Sequence, residues 1–354
     1  MKRRGIGLVS GLLLISLLVV VFFTSACAKP EVVPAPMGEE WPEQIIWGAW
    51  PKTAAIYPSC CAEAQLISKY TPSKCLLREY AGGIPGLTAL EEGTIDIWPL
   101  AYYDLVNAYY GTGPFEGKPM DIRALHGFAF TQLCFGVRPD EGINSVSDLA
   151  GKRVAQLVIP WNNELNKYVR EFYGVRDTDV KLVTVAGAEG ATVDAMIDKT
   201  IDAVFGSVRG GWTHQIRESV GLKWLPISEE AAEYATSRVV GTMPFLLRES
   251  TKEMQGIPLE EDFLVVAGLA PIAVRSDLPD YIAYGILDGI YAPGHIDEVS
   301  MLGPIVEDIR EWQEVEGQWP FFIPFHPGAV QYFKDTMIWT EKYEQRQQEL
   351  LAKP

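Results

Sequence analysis

The 354-residue chain holds 46 Asp and Glu against 30 Lys and Arg, a formal charge of −16. Residues 1–26 carry Lys2, Arg3 and Arg4 and no acid, so the remainder has 46 acids against 27 bases, −19. That balance excludes nucleic acid and an anionic membrane surface as main partners, because both need clustered cations. With 48% apolar and 21% charged residues the bulk of the chain is not disordered, and its length suggests about two domains of ~150 residues.

The N-terminus reads as an address. Lys2 to Arg4 precede an apolar run from Leu12 to Phe23, then Thr24-Ser25-Ala26-Cys27. A basic start, an apolar middle and small residues before a cut make a secretory signal over 1–26. An uncleaved membrane anchor is the alternative, since Ile6 to Phe23 just reaches the length needed to span a bilayer. Pro30, Pro34, Pro36 and Gly38 mark a tether over 27–41. Cys60, Cys61, Cys75 and Cys134 permit disulfides in an exported chain, but four buried thiols are equally consistent.

Strands and helices then alternate, which predicts an α/β fold with a mostly parallel sheet covered on both faces. Strands are expected at Gln44–Trp50, Leu76–Tyr80, Ile95–Leu100, Ile122–Gly127 and Gln132–Arg138, with helices at Ser59–Lys69, Pro85–Glu92 and Leu105–Tyr110. Gly93 and Gly111 close two of those helices. A second cycle gives strands at Lys152–Leu157, Val180–Val185, Ile201–Phe205 and Lys223–Ile227. Helices fall at Asn162–Tyr173, Gly190–Lys199, Trp212–Val220 and Glu229–Thr236. Ile95-Asp96-Ile97 and Ile201-Asp202-Ala203 place one Asp at the head of an apolar strand in each half. An apolar segment at Leu264–Arg275 leads to a helix at Tyr281–Ile290, capped by Ser276 or Asp277. Further helices are expected at Val306–Trp312 and Ala329–Leu351.

No GxSxG, HExxH, GxxxxGK[ST] or GxGxxG is present. His126, His214, His295 and His326 have no metal-ligand spacing, so neither catalysis, a cofactor nor a metal is expected. Binding features are better developed. Four loops precede helices: Trp50 to Tyr57, Ala81 to Ile84, Pro160 to Asn163 and Ser207 to Trp212. In open α/β sheets ligands bind beyond the carboxyl ends of strands, where helix N-termini offer free N–H groups to an anion. Two loops fall in each half, so both halves can face one cleft.

Several motifs resemble the TAXI family of TRAP-transporter solute receptors. They are Ala54-Ala55-Ile56-Tyr57-Pro58, Ala81-Gly82-Gly83-Ile84, Glu92-Gly93-Thr94-Ile95-Asp96, Arg123-Ala124-Leu125 and Gly142 to Val154. Ser276-Asp277-Leu278-Pro279 and His326-Pro327-Gly328-Ala329 complete the set, in family order from about residue 45 to 333. The segment ending in Cys27 likewise resembles a lipobox, which implies a lipid anchor on Cys27 and an extracytoplasmic, periplasmic or cell-surface location. The resemblance implies a type II periplasmic-binding-protein fold with two α/β lobes joined by two crossover strands. Lobe I is expected at 42–135 plus 266–354 and lobe II at 136–265, with crossings near Phe135–Arg138 and Val265–Val274. It implies capture of a small organic acid and delivery to a TRAP membrane permease. An ABC-type substrate-binding lipoprotein or a secreted enzyme on the same fold are the alternatives. A neighbouring permease or ATPase gene separates the first two, and turnover marks the third.

The candidate ligand-binding residues are Ala54, Ala55, Ile56, Tyr57, Gly82, Gly83, Ile84, Tyr102, Tyr103, Trp161, Asn162, Asn163, Ser207, Arg209 and Trp212. The family's Gly-Gly-Thr turn is Ala54-Ala55-Ile56 here, and its Gln and Asp after the third strand correspond to Ala101 and Tyr103. Lost hydroxyls and gained aromatics point to a monocarboxylate with an apolar or aromatic body in preference to glutamate.

Overall fold

The computed structural model describes residues 39–352 apart from 53, 55, 187–188, 209–210, 248–261, 296–320 and 337. The signal segment, Cys27, most of the tether and the helix expected at 306–312 lie outside the described residues.

Ten strands form one curled sheet. They are β1 (Gln44–Ala49), β2 (Lys74–Glu79), β3 (Ile97–Pro99), β4 (Ile122–Val137), β5 (Arg153–Leu157), β6 (Lys181–Val185), β7 (Ala203–Ser207), β8 (Lys223–Leu225), β9 (Thr242–Leu247) and β10 (Phe263–Arg275). The first lobe carries helices α1 (Tyr57–Tyr70), α2 (Gly83–Glu91) and α3 (Tyr102–Tyr110). The second carries α4 (Pro160–Phe172), α5 (Glu189–Ile197), α6 (Gly211–Val220) and α7 (Glu229–Thr236). The chain then returns to the first lobe with α8 (Asp280–Tyr291), α9 (Pro327–Asp335) and α10 (Glu341–Leu351).

The sheet is palindromic about the antiparallel pair β4 and β10. Outward on one side run β10, β3, β1 and β2; outward on the other run β4, β7, β5 and β6. Each outer trio is parallel, and its innermost member meets a crossing strand antiparallel. Apolar side chains divide accordingly. One core gathers β1 to β3, α1 to α3 and α8 to α10, and separate cores fill the other half. This is the two-lobed type II periplasmic-binding-protein arrangement, with β4 and β10 as the crossovers. On β4 the core changes between Leu125 and Leu133, and on β10 between Val266 and Ala267. Phe135 to Arg138, expected to cross, instead belong with the second lobe: Phe135 to Val137 pair with β7 and β8.

Other differences have local causes. The two strands expected around 122–138 are one, because the apolar run between them keeps pairing with β10 while slipping register past Leu125 and Phe128. The last helix is two. Thr340 accepts a hydrogen bond from the Tyr343 N–H and starts α10, while Trp339 turns back to stack on Phe333. Neither Ser276 nor Asp277 caps α8, which begins after Pro279; the Ser276 hydroxyl donates to Asp121, and Asp277 pairs with Arg275. β9 was not expected: Pro244 interrupts its apolar pattern, and it pairs with β10 at the sheet's margin.

Candidate functional site

Strand register brings the two sets of loops together. Pro99, the end of β3, pairs with Ile272, and the Leu100 N–H donates to the Pro271 carbonyl. Ser207, the end of β7, pairs with Leu133, and the Val208 N–H donates to the Gln132 carbonyl. The carboxyl ends of the parallel strands in both lobes therefore face the middle of the β4/β10 ribbon. The helices that begin there, α1 to α3 from one lobe and α4 and α6 from the other, turn their N-termini toward this waist.

Two aromatic side chains, one from each lobe, are docked on the waist. Trp161 at the start of α4 lies over Gly268 of β10; a Cβ on Gly268 would sit 2.5 Å from its ring. Tyr102 at the start of α3 lies against Gly241, where an added Cβ would come within 2.2 Å of its Cβ. Gly241 also has φ +76°, and its carbonyl accepts from the Leu269 N–H at 2.9 Å. Only glycine permits either approach. Tyr102 is fully buried, edge-on to Phe322 at 5.2 Å, and burial pushes its phenol well above the ordinary range. Tyr103 reaches the second lobe's core, and burial together with nearby Glu164 raises its phenol. Asp104 follows, half-buried; burial pushes its carboxyl up to about 7.

The other candidates separate into groups. Asn162 is buried, and among the described residues its Oδ1 has no hydrogen-bond partner, whereas Asn163 spends its amide on both backbone groups of Leu157. Ser207 is half-buried at the end of β7. Trp212, at the start of α6, packs on Gly206 within a second-lobe core. Ala54, Ile56 and Tyr57 sit at the start of α1; Ile56 packs on the first core, and the Tyr57 phenol is raised by burial and by its neighbour Cys61. Gly82 caps α2 in extended backbone with open space around it, Gly83 packs on Leu100, and Ile84 is 49% exposed. Ala55 and Arg209 lie outside the described residues.

Four residues of the site are not singled out by the sequence: Asp104, Gln132, Gly241 and Gly268. Gln132 is buried at the waist, and its Nε2 has no partner among the described residues. A lone glutamine inside an apolar strand was its only signal.

α1 contributes Glu63 to a buried polar cluster with His126 and Tyr291. Glu63 Oε2 is 3.3 Å from His126 Nε2, both side chains being fully buried. His126 Nδ1 is 2.6 Å from the Gly127 carbonyl and 2.9 Å from the Tyr291 hydroxyl. Cys60, Cys75 and Cys134 are buried free thiols and Cys61 a half-buried one. Among the described residues no group of three or more His, Cys, Asp and Glu is placed to hold a metal, and no helix is long and apolar enough to cross a membrane.

Residues 48–336, most of the chain, match the NMT1-like family. The chain belongs to the NMT1-like family. In backbone this NMT1-like chain is similar to the alkanesulfonate-binding protein SsuA from Xanthomonas axonopodis pv. citri bound to MOPS. That match has 16% identity, covers 88% of this chain and 96% of the other, and has a TM-score of 0.46. It is also similar to a TctC solute-binding protein from Polaromonas, with 17% identity, 78% and 90% coverage and a TM-score of 0.44.

Proposed function

We propose that the chain is an extracytoplasmic receptor that closes its two lobes on a small organic acid and delivers it to a TRAP membrane permease. The observation that carries this reading is the convergence of helix N-termini from both lobes on one ribbon, with Tyr102 and Trp161 docked there from opposite sides. Such a cleft combines apolar walls with a few oriented polar groups. Free N–H groups at the starts of α2 and α4 suit a carboxylate. With −19 on the chain beyond residue 26, attraction must be local, and Arg209 is the proposed cation. The ligand is a monocarboxylate with an aromatic or branched body. Cys27 carries the proposed lipid anchor, and residues 126–132 of β4 the proposed hinge.

Isothermal titration with phenylacetate, 3-methylbutanoate, succinate and glutamate tests the ligand class. Tight binding of the first two, weakened by Arg209→Ala for the acid but not its neutral amide, is expected. Selective glutamate binding would remove the apolar-body reading and leave the receptor standing. Turnover of a bound acid would replace it with an enzyme. Intact-mass analysis of membrane-extracted protein is expected to show a diacylglyceryl adduct that Cys27→Ser abolishes. An unmodified Cys27 would refute the anchor.

A further inference from the structure

Asp104 stands in the first turn of α3, at the carboxyl end of β3, between Tyr103, which reaches across to the second lobe, and Leu105, which is buried in the first. Its Oδ2 comes within 3.8 Å of where a Cβ on Gly83 would lie, so the carboxyl stands beside the start of α2 as well as its own helix. No hydrogen bond or ion pair to its side chain exists among the described residues, and burial is the only influence acting on it. Among the described residues no cation faces it; the first turns of α2 and α3 offer only the partial positive charge of helix N-termini. α2 presents Gly83 and Ile84, the β3–α3 junction presents Leu100, and α3 itself presents Tyr103 and Asn107. Across the cleft, α4 contributes another acid, Glu164, beside Tyr103. A half-buried carboxyl with no described cation beside it, in the wall of a site for an acid, is disfavoured as an anion once a second carboxylate enters.

We propose that Asp104 contacts the bound acid as a neutral carboxylic acid, so that the cleft captures ligand and one proton together. The Asp104 O–H donates to an oxygen of the ligand carboxylate. The proton comes from solvent as ligand enters and returns to solvent as it leaves. This inference rests on the organic-acid reading of the cleft. It is supported by the carboxyl's position, pushed up to about 7 before any ligand arrives. The ligand's own charge raises it further.

The test is calorimetric titration of the full chain with phenylacetate, 3-methylbutanoate, succinate and glutamate at pH 6 and pH 8. The carboxyl is mostly protonated at the lower pH and mostly ionised at the higher. The best-bound acid is therefore expected to bind about tenfold more weakly at pH 8. It should take up close to one proton per ligand there, read from buffers of different ionisation enthalpy. Asp104→Asn should flatten this dependence. Carbon NMR of Asp104 in the ligand-free wild type gives a measurement that needs no variant, with a midpoint near 7 expected. An affinity equal or greater at pH 8, a pH slope that survives in Asp104→Asn, or an Asp104 midpoint near 4 overturns proton co-capture while leaving the acid site intact. Failure of all four acids to bind at both pH values removes the acid site itself, and co-capture with it.

Discussion

Asp96 and Asp202 hold equivalent posts in the two lobes. Asp96 exchanges hydrogen bonds with the backbone of Ile46 on β1, its carboxylate accepting from the N–H at 2.8 Å and its own N–H donating to the carbonyl at 2.8 Å. Asp202 does the same with Arg153 on β5 at the same distances. Each crossing strand then delivers an arginine to the turn just before the Asp: Arg275 donates to the Ile95 carbonyl, and Arg138 to the Ile201 carbonyl. The resemblance between Ile95-Asp96 and Ile201-Asp202 in the sequence is thus one clasp used twice.

The two clasps differ in burial, and that predicts unequal costs. Arg138 is 1% exposed and faces Asp202, which also binds the Arg153 guanidinium; Arg275 lies 4.0 Å from Asp96 and is partly exposed. Asp202→Ala should cost about 2–3 kcal/mol, because it removes the acceptor shared by the Arg153 N–H and guanidinium and by Arg138, although Arg138 keeps Glu141 and the Met196 and Ile201 carbonyls. Asp96→Ala should cost about 1–2 kcal/mol. Burial opposes ionisation of Asp202, but hydrogen bonds from Arg153 and the charges of Arg153 and Arg138 outweigh it and hold the carboxyl below its usual range. Its contribution is full above the unfolded-state value near 3.9 and disappears as pH falls through the lower folded value. Urea titrations from pH 2 to 7 should show a shallower acid limb in Asp202→Asn; an unchanged limb would place the acid sensitivity elsewhere.

Gly268→Ala should displace Trp161 and cost roughly 1–3 kcal/mol through overpacking. Adding Trp161→Ala should recover most of that loss. The red shift of tryptophan emission in the single variant reports the displacement. If the double variant is simply the sum of the two, the docking of Trp161 on β10 is not what makes the glycine necessary.

Much of this fold was legible in the sequence, and the failures have physical reasons. Alternating strands and helices set the α/β class, and Gly93, Gly111 and Gly174 end helices with φ of 70°, 63° and 77°. What stayed hidden depends on partners distant in the chain. Nothing local in Thr242–Leu247 says that β10 will accept it as a strand. Trp212 stands out in the sequence from its place after Gly210 and Gly211, but the slot at Gly206 that receives it is not legible there. Asp104 carries no signal in the sequence because a carboxylate at the start of a helix is ordinary; that no described residue pairs with it is a tertiary fact.

The buried Glu63, His126 and Tyr291 cluster should be sensitive to which member is removed. His126→Ala leaves the fully buried Glu63 side chain without its 3.3 Å partner, at a cost of ~2–3 kcal/mol. Tyr291→Phe removes one hydroxyl and keeps the ring, at about 1 kcal/mol. Thermal unfolding of both variants checks the order. Equal losses would mean that packing, and not the buried pair, sets the cost.

Asp104→Asn should also change stability without any ligand. Because the folded carboxyl is raised to about 7, its favourable state is the protonated one. The stability it contributes is intact below the unfolded value near 3.9 and is lost as pH rises through about 7. The variant should therefore melt higher than wild type at pH 8.5, by the equivalent of roughly 2–4 kcal/mol, and nearly match it at pH 4. Identical melting curves at pH 8.5 would count against a strained carboxylate.

The palindromic sheet imposes an order of assembly on the nascent chain. From β4 to β8 the second lobe is one unbroken stretch, so most of its pairings close between neighbours in sequence. The first lobe is interrupted: Pro99 has no inner neighbour until Ile272 has been made, and α8 to α10 come later still. During synthesis the half that emerges first is thus completed last. β3 and the faces of α1 to α3 wait with an open edge until β10 arrives. Closing so long a loop is slow, and an open apolar edge is the state that invites aggregation and that chaperones hold.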